Sequence, residues 1–234
     1  MDALIPAAGR GTRLGERTET QPKGLVEVAG RPLLAHVFET AVEAGAEKLV
    51  VVIGYEGAQI VDHFGDAFAG VPITYVHQRE RLGLGHAVLQ AEPHIDGPFL
   101  LLNGDNVFAG SVAPAVAAAT IEGVDGVLAV EEVSTAEASS TGVLELDGDR
   151  VTGLVEKPDD PPSTLVTTGC YALPGDVFHA CALAQPSAEG EYQLSEAVGL
   201  LVRAGYDIET VRLGERVNVN TPADIEQAAR LVRE

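Results

Sequence analysis

Leu4-Ile5-Pro6-Ala7-Ala8-Gly9-Arg10-Gly11-Thr12-Arg13-Leu14, followed by Gln21-Pro22-Lys23-Gly24-Leu25, is where an apolar strand gives way to a glycine-rich turn. Ala3, Leu4 and Ile5 lead straight into it. Gly9 and Gly11 lack Cβ atoms, so the backbone can turn sharply and bring its N–H groups close to a ligand. Arg13 and Lys23 add two permanent cations beside those donors. Small residues, N–H donors and cations at a strand end suit a polyphosphate.

Two familiar phosphate loops are excluded. A dinucleotide fingerprint needs glycine three residues after Gly11, where this chain has Leu14. A Walker A loop needs Gly-Lys-Ser or Gly-Lys-Thr, and neither occurs. Gly-x-Gly-Thr-Arg-Leu with Pro22-Lys23 downstream instead resembles the signature of the sugar-1-phosphate nucleotidyltransferases, also called sugar-nucleotide pyrophosphorylases.

Outward from the loop, strands and helices alternate. Arg31-Pro32 opens an amphipathic helix with Leu33, Leu34, Val37, Phe38, Ala41 and Val42 at three- and four-residue spacings, stopped near Gly45. Leu49 to Ile53 is a continuous apolar run, as in a strand covered on both faces. A helix over Ala58 to Phe64, a strand over Val71 to Val76, a helix over Leu84 to Ala91 and a strand over Phe99 to Leu102 follow. This alternation predicts an α/β fold with a doubly wound, mostly parallel sheet, whose ligands sit beyond the carboxyl ends of the strands. The glycine loop and Asn103-Gly104-Asp105 then lie at one edge.

The middle changes character. Gly126 to Val133 reads as a strand. Gly142 to Leu146, a turn at Asp147-Gly148-Asp149, and Val151 to Val155 read as a β-hairpin. Val166 to Leu173 is a further strand, with a helix after Pro174. A helix over Leu194 to Ala204 and a short strand over Ile208 to Val211 follow. Thr221 as N-cap, Pro222 at N1 and Asp224 in the first turn open the last helix. The resemblance implies a Rossmann-like, mixed, mainly parallel sheet with the hairpin inserted for the sugar. Residues 1–125 would form the nucleotide part, 126–215 the sugar part and 221–234 a closing helix, with no carboxy-terminal β-helix domain.

At 234 residues and 46% hydrophobic the chain is globular, not disordered. Its formal net charge is −20, and only Lys23, Lys48 and Lys157 among fifteen basic residues are lysines. Such a surface repels nucleic acid and anionic membranes, so neither is an expected partner. It fits a salt-rich cytoplasm, where screening shortens like-charge repulsion. Cys170 and Cys181 have no metal-ligand spacing, which suits a reducing compartment. No leader and no membrane-length apolar run is expected, and the localisation read from this is cytoplasmic. The six histidines show no metal spacing and read as structural or surface residues.

The remaining motifs point to a site. Asp105, at a strand end facing a phosphate loop, reads as a Mg²⁺ ligand. Gly104-Asp105-Asn106 also resembles the family's Gly-Asp-Asn motif, in the form found in glucose-1-phosphate thymidylyl- and uridylyltransferases. Gln78, followed by Gly83-Leu84 and Ala87, is similar to the family's pyrimidine-reading segment, and a side-chain amide offers uracil or thymine both a donor and an acceptor. His86 stands where a glutamine is common. Glu156-Lys157-Pro158 resembles the motif in which the lysine holds the sugar phosphate and the glutamate the sugar hydroxyls. Gly142, Gly169 and Tyr171 in Thr168-Gly169-Cys170-Tyr171, and Glu191 in Gly190-Glu191-Tyr192 resemble the rest of the sugar pocket. A second metal ligand near the end of the motif series corresponds to Asn220, with Asn218 as the alternative.

The resemblance thus implies the reaction of an NTP with a sugar 1-phosphate to give an NDP-sugar and pyrophosphate. Arg13, Lys23, Asp105 and Lys157 would carry catalysis. Ala8, Gly9, Gly11, Thr12, Gln78 and Gly83 would bind the nucleotide. Mg²⁺ would sit on Asp105 and Asn220. UTP or dTTP with glucose 1-phosphate is the favoured pair. Another hexose phosphate, phosphocholine with CTP, or a non-catalytic sensing subunit on the same fold are the alternatives. A monomer or small homo-oligomer is expected.

Overall fold

The computed structural model describes residues 1–148 and 150–233. Asp149, in the expected hairpin turn, lies outside the described residues. Four strands, Phe99–Leu102, Asp2–Pro6, Lys48–Ile53 and Val71–His77, pair in that order, all parallel. Their side chains alternate between two cores. Leu4, Val50, Val52, Phe99 and Leu101 face one side, where the Leu84–Gln90, Asp176–Leu183 and Leu194–Arg203 helices pack through Val88, Val177 and Val198. Ile5, Leu49, Val51, Ile53, Leu100 and Leu102 face the other, against Leu34, Val37, Phe38 and Ala41 of the Leu33–Glu43 helix. Covering on both faces is why these strands read as unbroken apolar runs. Phe38 is fully buried beside Phe64 and Phe68, so truncating it to alanine costs about 3–5 kcal/mol.

The Leu165–Leu173 strand joins this parallel block to the rest of a ten-stranded sheet. It runs antiparallel to Phe99–Leu102 through Cys170 to Leu173, and contacts the Gly142–Asp147 strand at Val166. The Gly142–Asp147 and Arg150–Glu156 strands form the expected hairpin, with a register shift between Glu145 and Leu146. On its other side Leu165–Leu173 pairs with Gly126–Glu132, which pairs in turn, parallel, with Ile208–Arg212.

Several elements go beyond the sequence reading. A two-stranded ribbon pairs Asn106–Phe108 with Arg216–Asn218. A short helix covers Ala113–Ala118, and another, Thr135–Ala138, starts on a Ser134–Glu137 capping box. The last helix, Pro222–Leu231, begins as its sequence indicates: Asp224 N–H donates to Thr221 Oγ1 at 3.4 Å, and Thr221 N–H donates to Asp224 Oδ2 at 2.7 Å. That helix and the ribbon bury Val107, Val217, Val219, Ile225 and Ala228 against Leu14 and Val26, beside the glycine loop.

Candidate active site

The strand ends and two residues flanking the ribbon, Asp105 and Asn220, converge on a cleft of about 420 Å³. Ala7 N–H donates to Val52 O and Gly104 N–H to Pro6 O, so the loop after the first strand and the Asn103–Asp105 turn lie side by side. Gly11 has φ +67, and a Cβ there would lie 2.9 Å from Lys23 Cβ. Glycine at this position therefore serves the chain itself, letting the lysine stem lie across the loop.

Lys23 Nζ donates to Asp105 Oδ2 at 2.7 Å and to Asn220 Oδ1 at 3.0 Å. Arg13 Nη2 donates to the same Asn220 oxygen at 2.8 Å. Two positions set Asn220 there. Val219 N–H donates to Asp105 O at 2.8 Å, and Asn220 N–H donates to Asp224 Oδ2 at 2.8 Å. Thr221 caps the final helix, which leaves the Asn220 side chain to the cleft. Asn218 is exposed, and its Oδ1 accepts from Asn220 Nδ2 at 2.8 Å, turning the Asn220 oxygen toward the cations. An anionic and a neutral oxygen converging on one ammonium form a hard, oxygen-only donor pair. That pair fits a Mg²⁺ ion that takes its other ligands from phosphates and water. Among the described residues no group of three or more His, Cys, Asp or Glu could hold a metal by itself.

Ala8, Gly9, Gly11, Thr12, Arg13, Lys23, Gln78, Gly83, Asp105, Glu191 and Asn220 all line the cleft. Asn103 and Arg81 line it too, although their positions in the quoted motifs carried no assigned role. Asn103 Oδ1 is buried and finds no hydrogen-bond partner among the described residues.

Of the expected sugar residues, Gly142, Glu156 and Glu191 lie near one another. Gly142 pairs with Glu156, and a Cβ on Gly142 would lie 3.4 Å from Glu156 Oε2 and 3.2 Å from Thr167 Oγ1. Burial raises the Glu156 carboxyl above its ordinary value, and the nearby Glu191 charge adds to this, while Lys157 and a hydrogen bond with Ser195 oppose it. Ser195 is a buried polar residue the sequence reading did not single out. Lys157 is exposed, with φ +44, an uncommon conformation for a residue with a side chain. Its N–H donates to Thr141 O at 2.9 Å.

Tyr171 is buried, and its hydroxyl donates to Thr167 Oγ1 at 3.0 Å. Gly169 beside it has φ +76, and a Cβ there would run into the Asn106 amide. Between Thr167 and Tyr171, four steps along this strand match two along its neighbour. The bulge leaves the Thr167 and Tyr171 side chains on one face. It also aims two backbone groups at the site's frame: Asn103 N–H donates to Gly169 O, and Asn106 Nδ2 donates to Thr168 O, each at 2.8 Å.

A doubly wound sheet whose strand ends carry a glycine loop, an ammonium and a carboxylate defines an enzyme that handles phosphate esters at a topological edge. The chain belongs to the nucleotidyl transferase family, whose model matches residues 2–220. It is 47% identical over 236 residues to the UTP–glucose-1-phosphate uridylyltransferase AglF of Haloferax volcanii, covering 100% of this chain and 97% of that one. It is 36% identical over 208 residues to the bifunctional protein GlmU of Methanococcus maripaludis, covering 88% of this chain and 48% of that protein. Against a solved structure of UDP-glucose pyrophosphorylase complexed with UDP-glucose, the TM-score is 0.89 at 26% identity, covering 99% and 98% of the two chains. Among the described residues no helix is long and apolar enough to cross a membrane.

Proposed function

We propose that this chain transfers the nucleotidyl group of UTP, or of dTTP, to glucose 1-phosphate, giving NDP-glucose and pyrophosphate. The convergence of Lys23 on Asp105 and Asn220 carries this reading, because it gathers both charges and both metal-ligand oxygens at the phosphate loop. The activities named for the Haloferax relative and for the UDP-glucose-bound structure support the substrate pair.

A phosphate oxygen of the sugar phosphate attacks the α-phosphorus in line. The bond from that phosphorus to the bridging oxygen breaks, and pyrophosphate leaves with the electron pair. No protein nucleophile is needed, so catalysis is positioning and charge neutralisation. Lys23 steadies charge on the transferring group. Arg13 holds the departing pyrophosphate. Backbone N–H groups from Ala8 to Thr12 cradle the triphosphate, and Gln78 and Gly83 take the base. Glu156, Glu191, Gly142 and the Gly169 backbone frame the sugar, with Lys157 on its phosphate. Asp105 and Asn220 would hold Mg²⁺, which when bound supplies charge to neutralise the phosphates.

In this reading residues 1–125 serve the nucleotide, 126–215 the sugar and 221–234 close the site. The enzyme works in a cytoplasm of high salt as a monomer or small homo-oligomer. The test is pyrophosphate release in MgCl₂ over five NTPs, each with a set of sugar 1-phosphates and with phosphocholine. Fastest turnover with UTP or dTTP and glucose 1-phosphate is expected. Fastest turnover with CTP and phosphocholine, or none with any pair, would overturn the reading.

A further inference from the structure

Gln78, in the cleft wall, faces His86 behind it. Gln78 is 5% exposed, and its backbone N–H donates to Ile53 O at 2.9 Å, so the residue is fixed at the end of the sheet. Its Nε2 lies 3.1 Å from Gly83 O and 3.0 Å from His86 Nδ1. A carbonyl oxygen only accepts, so the Gln78 atom facing Gly83 is its amide nitrogen. Both hydrogens on that nitrogen are then engaged, one by Gly83 and one by the imidazole. Oε1 takes no hydrogen bond among the described residues and is the polar atom Gln78 offers to the cleft it lines.

This arrangement specifies the imidazole as well. Nδ1 accepts, so the ring proton is on Nε2. Gln90, one helical turn on, lies 3.3 Å from that Nε2, and its carboxamide oxygen reaches the ring N–H by rotation about the last torsion. The Tyr192 ring lies beside the imidazole, with centroids 6.4 Å apart. His86 itself does not line the cleft.

We propose that His86 is a positioning residue for base selection, which keeps the Gln78 amide oxygen turned toward the base. An outward oxygen accepts from a pyrimidine whose N3 carries hydrogen, as in uracil and thymine. It opposes cytosine, whose N3 presents a lone pair. The selection is therefore made one residue behind the residue that touches the base. This rests on Gln78 being the base-reading residue, as in the function proposed above.

The experiment measures kcat/KM with UTP, dTTP and CTP on one preparation of each variant, so that any inactive fraction cancels in the ratios. His86→Leu removes the acceptor and should lower the preference for the better of UTP and dTTP over CTP by about 3- to 10-fold, the worth of one hydrogen bond. His86→Asn, with an amide oxygen near the Nδ1 position, should restore most of it. Gln78→Ala should abolish the preference. If Gln78→Ala abolishes it while His86→Leu leaves it unchanged, the positioning role of His86 is overturned. If Gln78→Ala itself leaves the preference intact, Gln78 does not read the base, and both assignments are overturned.

Discussion

Lys23 Nζ lies 2.7 Å from Asp105 Oδ2, although 82 residues separate the two in the chain. The lysine side chain is only 12% exposed and the aspartate 30%. A largely buried ammonium needs partners, and here they are Asp105 and Asn220, the two groups that also face the proposed metal position.

Lys23→Ala should lower kcat by two or more powers of ten, since one fixed donor at developing charge is worth about 3–4 kcal/mol. Lys23→Arg should not rescue it, because the Lys23 stem packs tightly on Gly11 and a planar guanidinium does not fit the same space. Steady-state kinetics on purified, folded variants decides; turnover near the parent's in Lys23→Ala would remove the lysine from the mechanism.

The metal assignment separates three side chains. Asp105→Ala should cost far more activity than Asn220→Ala, because it removes the only charged ligand of the pair. Asn220→Ala should raise the Mg²⁺ concentration for half-maximal rate. Asn218→Ala should raise it less, since Asn218 only orients Asn220 through the 2.8 Å amide contact. Titration of rate against MgCl₂ in all three variants tests this. A larger shift from Asn218→Ala than from Asn220→Ala would reverse the assignment.

Glu156 gives a pH signature. Burial raises its folded-state pKa, so the folded chain binds this proton more tightly than the unfolded chain does. Stability from this group is greatest below the unfolded value and falls as pH rises through the folded one. Glu156→Gln should therefore stabilise the chain at neutral pH, with the gain shrinking as pH drops through the carboxylate range. The same variant should raise KM for the sugar phosphate more than for the NTP. Melting curves from pH 4 to 8 and paired KM values check both; a stability gain that grows toward acid pH contradicts the assignment.

The net charge of −20 predicts a salt response. Self-repulsion across the acidic surface is screened in molar KCl, so the melting temperature should rise substantially from dilute buffer to that concentration. A flat or falling melting temperature would refute adaptation to high salt.

The sequence made the parallel strands legible because they are covered on both faces and so appear as continuous apolar runs. The last helix was legible because Thr221, Pro222 and Asp224 spell its cap. The Asn106–Phe108 and Arg216–Asn218 ribbon was not, since three-residue strands 110 positions apart leave no periodic signal. The Thr135–Ala138 helix could have been read from Ser134 and Glu137. The loop and Asp105 were read from local motifs. The bulge between Thr167 and Tyr171 is not legible, since local sequence does not announce a left-handed Gly169. His86 reads as structural in the sequence because the role proposed for it depends on which atom of Gln78 faces it.

The Leu165–Leu173 strand hydrogen-bonds to the Phe99–Leu102 strand at one end and reaches the hairpin at the other. The span from the Asp105 turn to the Glu156 carboxyl is therefore set by hydrogen-bond register within one sheet, not by a linker. Such a span cannot stretch to suit a longer donor or a bulkier sugar. Acceptance of a different sugar would have to arise from side chains that line the gap, while the gap itself keeps its length.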